Sequence, residues 1–145
     1  MGGTIMTLSF TKMHGLGNDF IVIDGRETDP ALDEATIRHL CDRRFGIGCD
    51  QLVLLSAPTL EGADVLVRFF NADGSESGAC GNASRCVASL VGNNPVLQTR
   101  AGLLLTSQDG DRITVNMGAP RTGWQDLPLS KDCDTLHLPL HDAAA

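Results

Sequence analysis

NADGSESGACGNASRCVASLVG, residues 71–92, joins a polar, glycine-rich turn to a small-residue helix, with Cys80 at the junction. After Gly81, Asn82, Ala83 and Ser84, the remaining residues to Gly92 carry a single charge, Arg85. A helix apolar on all sides is expected to be buried rather than laid on a surface. Its first turn presents unpaired backbone N–H groups to whatever lies before it, which makes an anion site. A thiol there feels the positive end of the helix dipole, which favours the thiolate relative to a free cysteine of pKa about 8.5. Cys80 is therefore the candidate for chemistry.

Working outward, Ala63 to Phe70 reads as a strand that delivers the chain to Asn71, with Val65, Val67 and Phe69 on one face and Leu66 and Phe70 on the other. Beyond the helix, Gly92 to Pro95 is a stop signal. Leu97–Ser107 and Arg112–Met117 then flank Asp109-Gly110 as a hairpin. Upstream, Asp33–Arg44 places Ile37, Leu40, Cys41 and Phe45 at helical spacing, with acidic residues in its first turn and Arg43 and Arg44 in its last. Gly46-Ile47-Gly48 stops that helix, and Cys49-Asp50-Gln51 leads into a strand at Leu52–Leu55. Gln51, at the strand start, is open to two readings, a ligand contact or an edge polar residue. Leu8–Met13 and Asp19–Asp24 suggest two strands around His14-Gly15-Leu16-Gly17-Asn18. Those glycines serve either turn geometry alone or the approach of backbone and Asn18 to a ligand, and spacing alone favours the former.

At 145 residues the length suits one domain with a proper core. The net charge of −7 and the absence of a basic cluster argue against nucleic acid. No apolar run approaches the roughly 18 residues of a membrane span, and no basic-then-apolar leader begins the chain. A soluble, cytoplasmic protein is expected. The five cysteines, 41, 49, 80, 86 and 133, are odd in number and scattered through core-like segments, unlike a disulfide scaffold. The four histidines do not stand at metal-ligand spacing. Only Lys12 and Lys131 could form a pyridoxal Schiff base, and neither has a phosphate-binding loop nearby. No metal and no cofactor are expected. Met1–Thr7 reads as a lead-in outside the fold. Leu136, Leu138 and Leu140 alternate like a strand just beginning, which suggests that more protein follows.

Four stretches occur in the order found in diaminopimelate epimerases: His14-Gly15-Leu16-Gly17-Asn18-Asp19-Phe20, Gly46-Ile47-Gly48-Cys49-Asp50-Gln51, Phe70-Asn71-Ala72-Asp73-Gly74-Ser75-Glu76, and Cys80-Gly81-Asn82 through Arg85-Cys86. The resemblance extends to Val115-Asn116-Met117-Gly118-Ala119-Pro120 and covers the first half of that family's sequence. It implies an α/β fold of the α+β kind, a curved and largely antiparallel sheet wrapped around a central buried helix. The first such domain would span residues 6–118, with 119–145 a linker and the leading edge of a second. It also implies a pyridoxal-independent isomerase that interconverts LL- and meso-diaminopimelate with two cysteines, in bacterial lysine and cell-wall synthesis. Cys80 would be one of them, with Asn18, Gln51, Asn71, Gly81 and Asn82 contacting substrate. The partners implied are the amino-acid substrate, a downstream half bearing the second cysteine, and a second copy of the chain as a homodimer. The resemblance thus favours the ligand-contact reading of Asn18 and Gln51.

The chemistry accords with these residue types. Backbone donors at a helix start stabilise charge developing on a substrate carboxylate, and a thiol and thiolate on opposite faces of a carbon exchange acid and base roles. Arg85 lies about 140° around the helix from Cys80 and is read as a structural pairing or capping residue that points elsewhere. Cys86 is about 240° and roughly 9 Å further along, so it cannot serve the opposite face of the same carbon. Cys133, among charged residues, reads as an incidental surface thiol. The 145 residues alone are expected to be inactive. The rival readings are a racemase of another amino acid, a binding domain in which Cys80 merely packs, and a cysteine hydrolase using His14.

Overall fold

Alternating apolar side chains build most of the chain into one curled sheet, and the computed structural model describes residues 7–138. The strands are β1 (Thr11–Gly15), β2 (Asn18–Asp24), β3 (Gln51–Ser56), β4 (Val65–Asn71), a short β5 (Glu76–Ser77), β6 (Leu97–Thr99), β7 (Gly102–Asp109) and β8 (Arg112–Asn116). Their order is β1-β2-β3-β4-β6-β7-β8, with β5 hydrogen-bonded to β4. Helix α1 (Glu34–Cys41) connects the parallel pair β2 and β3, and helix α2 (Gly81–Val91) lies on the path between the parallel pair β4 and β6. All other pairings are antiparallel. Parallel neighbours need a crossover, and each of the two helices supplies one.

Strand parity sorts the core into two layers. Phe20 and Val22 of β2, Val53 and Leu55 of β3, and Val65, Val67 and Phe69 of β4 pack with Ala83, Cys86 and Val87 of α2. Ile21, Ile23, Leu52, Leu54 and Phe70 face the other way, against Ile37 and Cys41 of α1. Helix α2 touches both β1 and β8, the opposite ends of the strand order, so the sheet curls around it as a half-barrel.

The helix is less enclosed than its composition suggests. Ala83, Ser84, Cys86, Val87 and Ala88 are buried, whereas Ser89 is exposed and Leu90 is 43% exposed. The strands β1 and β8 flank α2 without pairing to each other, leaving one face of it open.

Several boundaries differ from those expected, each for a local reason. In α1, the Asp33 side chain accepts from Thr36 N at 2.8 Å as the N-cap. The helix ends at Cys41, because the Asp42 carboxylate captures the Arg44 and Phe45 amides at 2.7 Å each. Arg43 and Arg44 therefore lie beyond the last turn, and Phe45 is 81% exposed rather than on the buried stripe. The single run expected at Leu97–Ser107 is broken into β6 and β7 by Thr99, whose hydroxyl donates to Gly102 O and accepts from Ala101 N. Between β1 and β2 the turn is only Leu16-Gly17, both at positive φ (56° and 87°), the geometry that matches the twist of a two-residue hairpin. Asn18 accordingly heads β2 instead of sitting in the turn. Thr135 and Leu136 form a turn rather than a strand start. Leu140 and most of the expected N-terminal lead-in lie outside the described residues.

Candidate active site

The parity that builds the inner core also delivers three polar side chains to one end of it. Asn18 is the first residue of β2, Gln51 the first of β3 and Asn71 the last of the antiparallel β4. Each is an even number of residues from the inner-facing Phe20, Val53 and Phe69, so all three stand on the concave face at the mouth of the half-barrel. After β4 the chain turns through Asp73 and Gly74, pairs briefly as β5, and enters α2 at the same end.

Cys80 is the N-cap of α2, in extended conformation (φ −144°, ψ 112°), and its side chain makes no capping bond. Ser84 N donates to Cys80 O at 2.8 Å, so the amides of Gly81, Asn82 and Ala83 precede the first intrahelical bond. Cys80 is half-buried and packs partly on the inner core. Its Sγ lies 4.0 Å from Asn18 Oδ1. That oxygen also accepts from Asn82 Nδ2 at 3.4 Å, and Asn82 Oδ1 accepts from Arg85 Nη2. Gly15, at the end of β1, permits this approach: a Cβ there would stand 3.3 Å from Asn82 Cβ.

Outside this cluster, Asn18 Nδ2 donates to Asp50 Oδ2 at 3.0 Å. The hydrogen bond from Asn18, helped by the Asp19 amide and by Arg43, holds the Asp50 carboxyl below the usual carboxylate range. The Arg43 guanidinium, with Lys12, holds the Asp19 carboxyl well below it. On the neighbouring strands Gln51 Nε2 donates to Asn71 Oδ1 at 2.8 Å, and Asn71 Nδ2 donates to Ser75 Oγ at 3.0 Å. Gln51 Oε1 is buried without a hydrogen-bond partner.

Of the residues expected at the site, Asn18, Cys80 and Asn82 form one cluster, Gly81 contributes backbone at the helix start, and Gln51 and Asn71 form a second pair on the same face. Arg85 does not point elsewhere. It reaches back one turn to hold Asn82, its i−3 neighbour on the same side of the helix. Asp50, Asp73 and Ser75 enter as supporting residues that sequence reasoning passed over: Asp50 meets Asn18 only through the tertiary fold, and Ser75 and Asp73 meet Asn71 through the tight turn that follows β4. Cys86 is buried in the inner core, where burial pushes its thiol up. Cys133 is half-buried on the last described segment, and Cys41 and Cys49 are buried beneath α1, 3.4 Å apart. Among the described residues no group of three or more His, Cys, Asp or Glu side chains could hold a metal, and no helix is long and apolar enough to cross a membrane.

Known proteins share this sequence and this fold. The diaminopimelate epimerase of Gluconobacter oxydans (strain 621H) is 80% identical over 140 residues, covering 97% of this chain and 54% of that protein. The diaminopimelate epimerase of Rhizorhabdus wittichii is 48% identical over 136 residues, covering 93% of this chain and 49% of its own. The chain thus spans about half the length of the curated relatives it matches. Among solved structures, a methylitaconate-delta-isomerase superimposes with a TM-score of 0.55 at 19% identity, over 71% of this chain and 35% of that one. A hydroxyproline epimerase from Agrobacterium vitis does so with a TM-score of 0.54 at 19% identity, over 70% of this chain and 37% of that one. These two share the curled-sheet fold. The family defined as diaminopimelate epimerase matches residues 10–123, and the chain belongs to it.

Proposed function

We propose that this chain supplies one half-site of a cofactor-independent epimerase that interconverts LL- and meso-diaminopimelate, with Cys80 as one of its two proton-transfer groups. The observation that carries the reading is a half-buried thiol at a helix start, beside amides that precede the first intrahelical bond and 4.0 Å from Asn18 Oδ1, on the concave face that also bears Gln51, whose Oε1 is buried without a hydrogen-bond partner. An amino acid carries a carboxylate and an ammonium. The helix-start amides of Gly81 and Asn82 suit the first, where negative charge grows as the α-proton leaves. The two carbonyl oxygens suit the second, and being neutral they leave the sulfur's charge available for the base role. In one direction the Cys80 thiolate takes the α-proton as a second thiol on the opposite face delivers its own. In the other direction the roles reverse.

Cys86, inside the core, and Cys133, distant in sequence among charged residues, are not that second thiol. It belongs to the downstream half of the longer relatives, and the domain boundary is placed near residue 118. The 145 residues alone bind one side of the substrate and do not epimerise it. A cytoplasmic enzyme assembling as a homodimer completes the proposal.

The test is α-proton exchange of LL-diaminopimelate in D2O, followed by NMR. The 145-residue chain should give no exchange, and the chain continued with a relative's downstream half should give exchange that disappears in Cys80→Ala. Exchange that survives Cys80→Ala would overturn the assignment.

A further inference from the structure

We propose that Asp50 and Asp73 are positioning residues that fix the polarity of the site's amides, so that Asn18 and Gln51 both present carbonyl oxygens, and not NH2 groups, to the bound molecule. This inference rests on the proposed half-site and adds what makes that site select an ammonium group.

A side-chain amide is nearly symmetric in shape, so its orientation is set by what its two ends can bond. A carboxylate only accepts, and a guanidinium only donates. Asp50 Oδ2, 3.0 Å from Asn18 Nδ2, must therefore receive the amide's N–H, which turns Asn18 Oδ1 toward Cys80. The same chain of bonds is closed from its other end. Arg85 obliges Asn82 to face it with Oδ1, which leaves Asn82 Nδ2 to donate to Asn18 Oδ1 at 3.4 Å. An acceptor-only group at one end and a donor-only group at the other dictate the same orientation for both amides.

The second relay is terminated in the same way. Asp73 Oδ1 accepts from Ser75 Oγ at 2.6 Å, which commits the hydroxyl proton. Ser75 Oγ then accepts from Asn71 Nδ2 at 3.0 Å. Asn71 Oδ1 in turn accepts from Gln51 Nε2 at 2.8 Å, and Gln51 Oε1 is the oxygen left over, buried and unpartnered. Inverting the first relay would set Asn18 Oδ1 against Asp50 Oδ2, and inverting the second would set Asn71 Oδ1 against a Ser75 Oγ whose proton is already given to Asp73, oxygen against oxygen in both cases. Asp50 acts through the Asn18 amide it holds, and Asp73 through the Ser75 hydroxyl that in turn holds Asn71.

The experiment uses the 15N-labelled 145-residue chain at pH 7. Nuclear Overhauser effects from the Asn18 side-chain NH2 should connect it to the Asp19 amide and the Asp50 β-protons and not to the Cys80 β-protons. In Asp50→Asn combined with Arg85→Met, which removes both the acceptor-only and the donor-only end, contacts from the Asn18 NH2 to Cys80 should appear, while Asp50→Glu should retain the native pattern. Addition of meso-diaminopimelate should shift the Asn18 and Gln51 resonances, with at least fivefold weaker binding in Asp50→Asn and Asp73→Asn and an otherwise unchanged backbone spectrum. Asn18 NH2 contacts to Cys80 in the native chain would overturn the inference without any variant having to fold. So would native-strength binding by both Asn variants. Absence of diaminopimelate binding by the native chain would instead count against the proposed half-site, and the Asn18 contacts would still decide the polarity.

Discussion

Gln51 and Asn71 are cross-strand partners in the β3–β4 ladder, and their side chains repeat the pairing with a bond of 2.8 Å. The register of two core strands thereby sets the geometry of two candidate site residues. Asn71→Leu leaves Gln51 Nε2 without its acceptor in a part-buried position, which should cost about 1–3 kcal/mol. Urea unfolding at neutral pH measures it, and an unchanged midpoint would show that the pair contributes nothing.

Acid should weaken the fold through Asp19 and Asp50. Both carboxyls titrate in the folded protein below the unfolded value of about 3.9, Asp19 chiefly through Arg43 and Asp50 chiefly through Asn18. The native state therefore binds fewer protons than the unfolded one as acid is added. Their stabilisation is complete above the unfolded value and is lost as pH falls through the folded ones. Arg43→Met should flatten the dependence of unfolding free energy on pH below about 4. Because the groups are partly exposed, 1 M salt should flatten it too. A variant with the native slope would remove Arg43 as the cause.

Gly46 has no room for a side chain. A Cβ there would stand 1.9 Å from His39 O and 2.9 Å from Leu40 O, both backbone atoms that cannot swing aside. The loop is drawn in by Ile47 N and Gly48 N, which both donate to Leu40 O at 3.0 Å. Gly46→Ala should cost roughly 1–3 kcal/mol and should disturb the amide resonances of Asp50 and Gln51, which the loop carries. A thermal unfolding midpoint equal to that of the native chain would contradict the close packing.

Thiol chemistry should follow burial. Cys80 and Cys133 are half-buried, whereas Cys41, Cys49 and Cys86 are buried, and the Cys86 thiol is further pushed up by that burial. Iodoacetamide on the native chain, followed by mass spectrometry, should modify Cys80 and Cys133 first, with all five reacting after unfolding in urea. Modification of Cys86 at the Cys80 rate would place α2 wrongly in the core.

Periodicity made much of the architecture legible. Val65, Val67 and Phe69 alternate with Leu66 and Phe70 whatever surrounds them, so β4 and its two faces follow from local sequence. The glycine-rich approach to Cys80 and the stop after Val91 likewise bracket α2 within a residue of its observed ends. At two of the boundaries that differed, a side chain had competed for the backbone. Asp42 took the amides that would have prolonged α1, and Thr99 bent what looked like one long strand into two. Such captures are decided by which polar atoms meet, and periodicity does not record them.

Sequence by itself determined the identity of the helix, the placing of Cys80 at its start and the two faces of β4, because these depend on neighbours along the chain. Tertiary structure alone decided that the half-barrel leaves one face of α2 open, that Asp50 meets Asn18, and that Gln51 joins Asn71 across two strands. Those outcomes depend on atoms that meet although far apart in sequence, Asn18 with Asp50 and Cys80, and Gln51 with Asn71.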